Sequence, residues 1–306
     1  MNHSVGFVGL GRMGKSMVLH LLEQGVGVVA YNRTKEVTQA LVTEYNGPNL
    51  MPAYDLKELT AKLPAPRTVW VMVPNGKVVD DVIAQLLAAG VASGDTIIDG
   101  GNTFYKDTVV RATALTAKGI QYIDCGTSGG LAGARTGACL MLGGEEGVVS
   151  SLSWLWDMLA LPGGWNYFGT AGAGHFVKMV HNAIEYGMNE ALGEGMEVLS
   201  KSPYNLNLAK VAATWQQGSI VRGFLLDLLA KALTEDTDLT GYSGKVGAGE
   251  TDARTFEDIR ALGVDASAIS AAVEARKKAQ TTPTFASKVV SALRRGYGGH
   301  NETTAK

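Results

Sequence analysis

The sequence predicts an α/β fold, a Rossmann-type doubly wound sheet domain, followed by an all-α helical domain. Three observations carry this. Short β-rich runs alternate with helical patterns through the first half of the 306-residue chain. A Gly-x-Gly-x-x-Gly run follows the first of those strands, and from Gly172 onwards the β-rich runs give way to long helical patterns. Strand–helix alternation marks parallel βαβ units in one sheet, because a parallel crossover needs a connection of helical length.

Taken in order, Val5–Leu10 reads as the first strand, an apolar run of the kind that is buried on both faces of a sheet. Met13–Gln24 has an amphipathic helical period, and Val26–Tyr31 is the second strand. Thr68–Val73, Thr96–Ile98, Ile120–Cys125 and Ala138–Leu142 are further strands, separated by helical stretches such as Val78–Ala89 and Phe104–Ala117. Pro64 and Pro66 make a rigid approach to the strand at Thr68 rather than a linker between domains. After about Trp165 the texture changes, and helical patterns cover 174–200, 207–216, 219–233, 265–279 and 284–294. Asp236–Thr255 is polar and glycine-rich and reads as a loop. Gly296–Lys306 is a glycine-rich, then polar tail to which no regular structure is assigned. Residues 1–171 are therefore expected to form the sheet domain and 172–306 the helical one.

Composition narrows the function. An apolar fraction of 46% with 18% charged residues describes a globular chain with a sizeable core. A net charge of −2 advertises no polyanion-binding surface. The longest basic runs, Arg276-Lys277-Lys278 and Arg294-Arg295, read as charged helix ends. Nucleic acid is not an expected partner. No stretch approaches the length of an apolar membrane span, and no N-terminal signal pattern precedes the first strand. The expectation is a cytoplasmic protein with no membrane partner. Cys125 and Cys139 have neither disulfide-framework nor metal-ligand spacing and are expected to act as small hydrophobes in strands; no metal is expected.

The glycine run is Gly9-Leu10-Gly11-Arg12-Met13-Gly14, placed between the first strand and the first helix. Its glycines permit a tight turn and close backbone approach, and free N–H groups at the helix start attract a pyrophosphate. That strand–loop–helix setting turns a weak motif into a dinucleotide site. An acidic residue normally ends the second strand when the ligand is NAD, where it accepts from the ribose 2′-hydroxyl. Here the residues are Asn32, Arg33 and Thr34. Arginine attracts a 2′-phosphate that a carboxylate would repel, so NADP is favoured and NAD is the alternative.

The segment Gly174–Gly187 is the other informative one. Read as helix, it sets Lys178, His181, Asn182 and Glu185 at i, i+3, i+4 and i+7, on one stripe of an otherwise apolar surface. Such a stripe is either a solvated face with a Lys–Glu pair or a set of groups kept for chemistry, since burying them idly is costly. Two turns at strand ends, Asp99-Gly100-Gly101-Asn102 and Gly126-Thr127-Ser128-Gly129-Gly130, lie where ligands bind in open α/β sheets.

These pieces together, with Trp215–Arg222 and the ending Arg294-Arg295-Gly296-Tyr297-Gly298-Gly299-His300, resemble the short form of 6-phosphogluconate dehydrogenase (decarboxylating), within the β-hydroxyacid dehydrogenase superfamily. The resemblance implies oxidative decarboxylation of 6-phosphogluconate to ribulose 5-phosphate and CO2 with reduction of NADP. It implies that Lys178 takes the proton of the 3-hydroxyl and that Glu185 protonates C1 after decarboxylation. Asn182, Ser128, Gly129 and Gly130 would then hold the C1 carboxylate and nearby hydroxyls, and Asn102 and His181 the hydroxyls around C3. Tyr186, Arg222, Arg294 and His300 would take the phosphate. The expected cofactor set is Gly9 to Gly14, Asn32, Arg33, Thr34, Val73 and Asn102. A homodimer or homotetramer is implied, with the C-terminal tail completing the partner's site.

The chain departs from the family's pattern in two places. Short-form relatives usually carry an acidic residue where Asn32-Arg33-Thr34 stands. In the loop Gly249–Thr255 a tryptophan is missing and one residue is added, which leaves Lys245 and Arg254 as alternatives for its phosphate contact. Two other readings are a β-hydroxyacid dehydrogenase for a smaller unphosphorylated acid such as 3-hydroxyisobutyrate, and a non-catalytic NADPH-binding protein. The first needs Lys178 but not Glu185, Arg222 or His300.

Overall fold

The computed structural model describes residues 3–246 and 250–299. The chain forms two compact units, Met1–Met179 and Val180–Lys306. The first is built on one eight-stranded sheet in the order β3-β2-β1-β4-β5-β6-β7-β8. Its strands are β1 (Ser4–Val8), β2 (Gly27–Tyr31), β3 (Leu50–Ala53), β4 (Thr68–Val71), β5 (Thr96–Asp99), β6 (Gln121–Ser128), β7 (Ala138–Gly143) and β8 (Ala160–Gly169). Neighbours run parallel except β6 and β7, which are antiparallel. The doubly wound sheet is as expected; the reversed β7 was not.

The order reverses beside β1, and the register there aligns the strand ends. Val8 pairs with Tyr31 and with Val71, and Val71 with Asp99. The Gly9, Asn32, Met72 and Gly100 turns therefore leave the sheet along one edge, the position where such sheets bind ligands. Alternate residues face opposite sides. Val5, Phe7, Val28, Ala30, Trp70 and Ile98 pack on α1 (Arg12–Glu23) through Met17, Val18 and Leu21. Val8, Val29, Val69, Val71 and Ile97 pack on the other face, with Leu59 of α3 (Leu56–Lys62), Leu86 of α4 (Lys77–Ala88) and Leu115 of α5 (Tyr105–Thr116).

Two strands escaped the sequence reading, and both are sheet edges. β3 has four residues, one of them Pro52, and β8 contains Pro162, Gly163 and Gly164. Proline is tolerated where no neighbour needs its missing N–H. The β7–β8 register slips between Ala138, which faces Ala160, and Leu140, which faces Trp165, so the Pro-Gly-Gly stretch is taken up as an irregularity. Cys125 is buried in β6, where desolvation pushes its thiol well up, whereas Cys139 on β7 is exposed, against expectation.

Helices α2 (Lys35–Tyr45), α6 (Gly130–Thr136), α7 (Glu146–Ser151) and α8 (Ser153–Leu159) also belong to the first unit, and the 28-residue helix α9 (Ala173–Ser200) begins in it. Beyond it come α10 (Leu208–Trp215), α11 (Phe224–Glu235), α12 (Glu250–Ala261), α13 (Ser267–Ala279) and α14 (Phe285–Gly298). Leu208, Leu226, Leu229, Leu233, Val289 and Leu293 form one core with Met196 of α9, and Ala183, Phe256, Ile259 and Val273 form a second. At the start of α14, Thr284 and Ser287 exchange side-chain-to-backbone hydrogen bonds of 3.3 and 2.8 Å. There the Glu197 carboxylate accepts from the Ala286 N–H at 2.9 Å.

Three helix boundaries differ from expectation. The helix expected at 219 begins at Phe224, after an irregular Ser219–Gly223 turn. The expected loop 236–255 gives way to helix at Glu250; among the described residues this helix has only Phe256 and Ile259 as buried apolar anchors, so its amphipathic period is weak. The tail begins later than expected, since α14 runs to Gly298 and ends on Gly299 in the left-handed conformation (φ 59°). Among the described residues, no helix is long and apolar enough to cross a membrane, and no metal-binding group of His, Cys, Asp or Glu occurs.

Candidate active site

The glycine loop is dictated by crowding. Gly9 has φ +100°, and a Cβ there would run into the Met72 carbonyl and lie 3.0 Å from Val73 Cγ1. A Cβ on Gly14 would collide with the Gly9 carbonyl, whereas one on Gly11 would meet nothing within 4 Å. The first turn of α1 has no side-chain cap and no acidic residue, and the positive end of a helix favours an anion there. Leu10 N–H donates to Asn32 Oδ1 at 3.0 Å, Asn32 N–H donates to Thr38 Oγ1 at 3.2 Å, and Asn32 Nδ2 donates to the Thr34 carbonyl at 3.2 Å. Asn32 thus spends its side chain on tying the β1 and β2 turns together. Arg33 and Thr34 are exposed next to it, and no hydrogen bond or ion pair among the described residues engages the Arg33 guanidinium. Met13 packs against the core, Arg12 is exposed, and Val73 is half-buried just past β4.

The turn after β5 is anchored from below. The buried Asp99 carboxylate accepts from Gly101 N–H at 3.1 Å and from the Tyr122 hydroxyl at 2.8 Å. Burial first, and Asp99 second, push the Tyr122 phenol well up, so it stays a donor. Asn102 emerges from this turn exposed.

Lys178 has a specific seat. Asp124, fully buried on β6, accepts from Gly172 N–H through Oδ1 and from His175 N–H through Oδ2, both at 2.8 Å. It caps α9 from a strand 48 and 51 residues earlier in the chain. His175 Nδ1 pairs with Thr108 Oγ1 of α5 at 2.7 Å. The helix start lies so close to β6 and β7 that a Cβ on Gly174 would collide with the Met141 carbonyl. One on Gly126 would collide with Lys178 Cβ and lie 3.0 Å from the Gly174 carbonyl. Lys178 is therefore pressed against Gly126, two residues before Ser128, where β6 opens into the half-buried Ser128-Gly129-Gly130 turn and α6 (Gly130–Thr136). Neither Asp124 nor Thr108 stood out in the sequence.

Further along α9, His181 Nδ1 and Asn182 Oδ1 are 3.3 Å apart. Glu185 Oε1 accepts from Asn189 Nδ2 at 3.5 Å, and the same amide donates to the Tyr297 hydroxyl at 3.3 Å. Burial, then the charge and hydrogen bond of Glu185, raise the Tyr297 phenol. Arg294 is half-buried and adds its charge near Tyr297, whereas Arg295 is exposed and lies 5.6 Å from the Tyr242 ring.

One residue was misjudged. Arg276, read as a charged helix end, is 1% exposed. Its guanidinium stacks 3.4 Å from the Tyr186 ring centroid and bonds through Nε to Glu190 Oε1 at 3.2 Å, while Nη1 and Nη2 are buried without a hydrogen bond among the described residues. Burial raises the Glu190 carboxyl and Arg276 partly offsets this. Arg222 is exposed on the Ser219–Gly223 turn, away from any hydrogen bond of its guanidinium among the described residues. Lys245 is exposed and Arg254 half-buried on α12; Gly249 and His300 lie outside the described residues.

A profile for the NAD binding domain of 6-phosphogluconate dehydrogenase matches residues 4–161, and one for the 6-phosphogluconate dehydrogenase C-terminal domain matches residues 174–294. YqeC of Bacillus subtilis (strain 168), which carries the 6-phosphogluconate dehydrogenase name only provisionally, is 38% identical over 296 residues, 97% of this chain and 98% of that protein. The NAD(+)-dependent, decarboxylating 6-phosphogluconate dehydrogenase of Haloferax volcanii is 35% identical over 298 residues, 97% of each chain. Among solved structures, Plasmodium falciparum 6-phosphogluconate dehydrogenase, described apo, with NADP+ and with 6-phosphogluconate, superposes with a TM-score of 0.82 at 28% identity. That match covers 90% of this chain and 62% of the Plasmodium one. Matching profiles in both halves and relatives alike from end to end agree with the glycine loop and the Lys178 helix: the chain belongs to the 6-phosphogluconate dehydrogenase family of oxidoreductases.

Proposed function

We propose that the protein oxidatively decarboxylates 6-phosphogluconate to ribulose 5-phosphate and CO2, with NADP as the preferred acceptor. The observation that carries this reading is Arg276. A buried guanidinium with two unpartnered nitrogens costs several kcal/mol unless an anion completes it. It lies on Tyr186, one residue from Glu185, where a phosphate would be held bidentately. 3-Hydroxyisobutyrate has a single anionic group, its carboxylate, which this reading gives to Asn182, Ser128, Gly129 and Gly130, so no second anion is left for Arg276. We read Arg276 as joining Tyr186 and Arg294 in the phosphate set, with Arg222 and His300 kept from the sequence reading.

Gly9, Gly11, Gly14 and the uncapped start of α1 fit the pyrophosphate of a dinucleotide, and the ungated Arg33 fits a 2′-phosphate. NAD remains the alternative, as the Haloferax relative is NAD-dependent. When bound, the nicotinamide supplies the hydride acceptor. Lys178 takes the proton of the 3-hydroxyl. The 3-keto acid so formed loses its C1 carboxylate as CO2, because the ketone β to it accepts the electron pair. The protonated Lys178 stabilises the enolate oxygen, and Glu185 hands a proton to C1. Asn182 with Ser128, Gly129 and Gly130 orients the carboxylate, and Asn102 with His181 the hydroxyls. In this reading residues 1–171 are the cofactor domain, and 172–306 the substrate and dimerisation domain of a cytoplasmic homodimer or homotetramer.

The test follows nicotinamide reduction with 6-phosphogluconate, gluconate and 3-hydroxyisobutyrate, each with NADP and NAD. The highest kcat/KM is expected for 6-phosphogluconate with NADP. Turnover of the unphosphorylated acids alone would sink the reading.

A further inference from the structure

We propose that Asp124 is the positioning residue for Lys178: a buried carboxylate on β6 that caps the first turn of α9 from outside the helix and fixes the depth at which the lysine enters the site. The role of Lys178 as base belongs to the functional reading above, and this inference rests on it.

A helix start leaves several N–H groups without intrahelical partners, and these are usually capped by the residue just before the helix. Here the cap comes from a different element. Asp124 spends one oxygen on Gly172 N–H and the other on His175 N–H, each at 2.8 Å. Bonds to an ionised acceptor are short and strong, and two of them to amides three residues apart fix both translation and rotation of the turn. Lys178 follows His175 by three residues, so it sits less than one turn from the tether.

The surroundings leave the carboxylate no latitude. A Cβ on Gly143 would be 2.6 Å from Asp124 Oδ1 and 2.8 Å from Oδ2, so the glycine exists to admit this side chain. A Cβ on Gly174 would be 2.9 Å from the Asp124 carbonyl. The clamp is completed by the His175–Thr108 pair on the α5 side. Both carboxylate oxygens accept from amides of the helix start, and the side chain is fully buried.

The experiment compares Asp124→Asn, which keeps one acceptor oxygen, with Asp124→Ala, which keeps none, in the full chain. Two measurements are made on each. Amide hydrogen exchange over residues 172–178 needs no substrate and should accelerate about tenfold or more in Asp124→Ala, and less in Asp124→Asn, with the β1–α1 peptides unchanged. The kcat per NADPH-binding site should fall about a hundredfold in Asp124→Ala, the loss expected for a misplacement near 1 Å, with NADP affinity kept within about twofold. Rates with 3-deuterated 6-phosphogluconate should show a larger isotope effect than wild type, which a mere loss of stability would not produce. Should Asp124→Ala fail to fold, Asp124→Asn decides by the same readouts. Unchanged exchange over 172–178, or a lowered melting temperature with undiminished kcat per folded site, overturns the proposal. A wild-type enzyme inert towards 6-phosphogluconate would instead refute the functional reading, and the exchange measurement would still judge the tether.

Discussion

Replacing Gly126 by alanine tests the seat of Lys178 from the strand side. The added methyl would lie 3.0 Å from the Gly174 carbonyl and 3.1 Å from Lys178 Cγ, and closer still to Lys178 Cβ. Ordinary contact begins at 3.4 Å, so helix and strand must part by about 0.4 Å at the carbonyl and by more at the lysine. None of the crowding atoms is the loose end of a flexible side chain, and Asp124 prevents the helix start from sliding away. Overpacking of this sort typically costs about 1–3 kcal/mol of stability. The larger effect should be kinetic: a shift of several tenths of an ångström at the base should lower kcat about tenfold or more, as a 1 Å error costs about a hundredfold. The assay is steady-state reduction of NADP with 6-phosphogluconate, beside a thermal melt and an NADP titration. NADP affinity should hold, because the glycine loop lies elsewhere on the sheet. A folded Gly126→Ala variant with kcat within twofold of wild type would refute the claim that the backbone of β6 sets the lysine's position.

Gly11→Ala makes the complementary case. The methyl meets nothing within 4 Å, so the melting temperature without cofactor should be unchanged, while NADP affinity in an equilibrium titration falls about tenfold or more. Arg33→Ala should weaken NADP binding about tenfold or more and leave NAD binding nearly untouched, read as the ratio of the two dissociation constants. Arg276→Lys keeps the charge but loses the planar fork; KM for 6-phosphogluconate should rise at least about tenfold with NADP affinity unmoved. Glu190 gives a pH signature. Burial raises its carboxyl in the folded state, so the stability tied to it is present below the ordinary carboxyl pKa and is lost as pH rises through the raised value. The melting temperature should slope down across that window, and Glu190→Gln should flatten the slope.

What was legible in the sequence follows from how local each signal is. β1, the glycine loop and α1 are contiguous, so strand pattern, turn and helix start stand together in some twenty residues and point the same way. The Lys178–Glu185 stripe is one helix face and equally compact. β8 was not legible, since its Pro-Gly-Gly interruption is tolerable only at a sheet edge, and edges are decided by the rest of the sheet. Asp124 was hidden for a similar reason: it lies in an apolar strand and its partners come 48 and 51 residues later. Arg276 carries a local signal. It falls on the α13 stripe with Ala272, Val273 and Ala279, all buried, while Lys277 and Lys278 beside it are exposed. A cation on the apolar period of a helix is one the fold has taken out of water.

Asp124 and Arg276 also show how buried charges can be sorted. Both are at most 1% exposed, and each would be ruinous if left bare. Asp124 has both oxygens filled by amides of the protein itself, so its charge is spent on architecture and its removal should first loosen a helix. Arg276 has one nitrogen filled and its two outer nitrogens not, so its charge is incomplete within the described chain. Native structures satisfy nearly all buried polar groups, so an exception such as Arg276 calls for an explanation, a bound ion among them. The same contrast separates Gly126 from Gly11: one lacks a side chain because the protein fills the space, the other although nothing does. The unfilled cases, Arg276 and Gly11, fall on the phosphate of the proposed substrate and the pyrophosphate of the proposed cofactor, and the filled ones hold Lys178 in place.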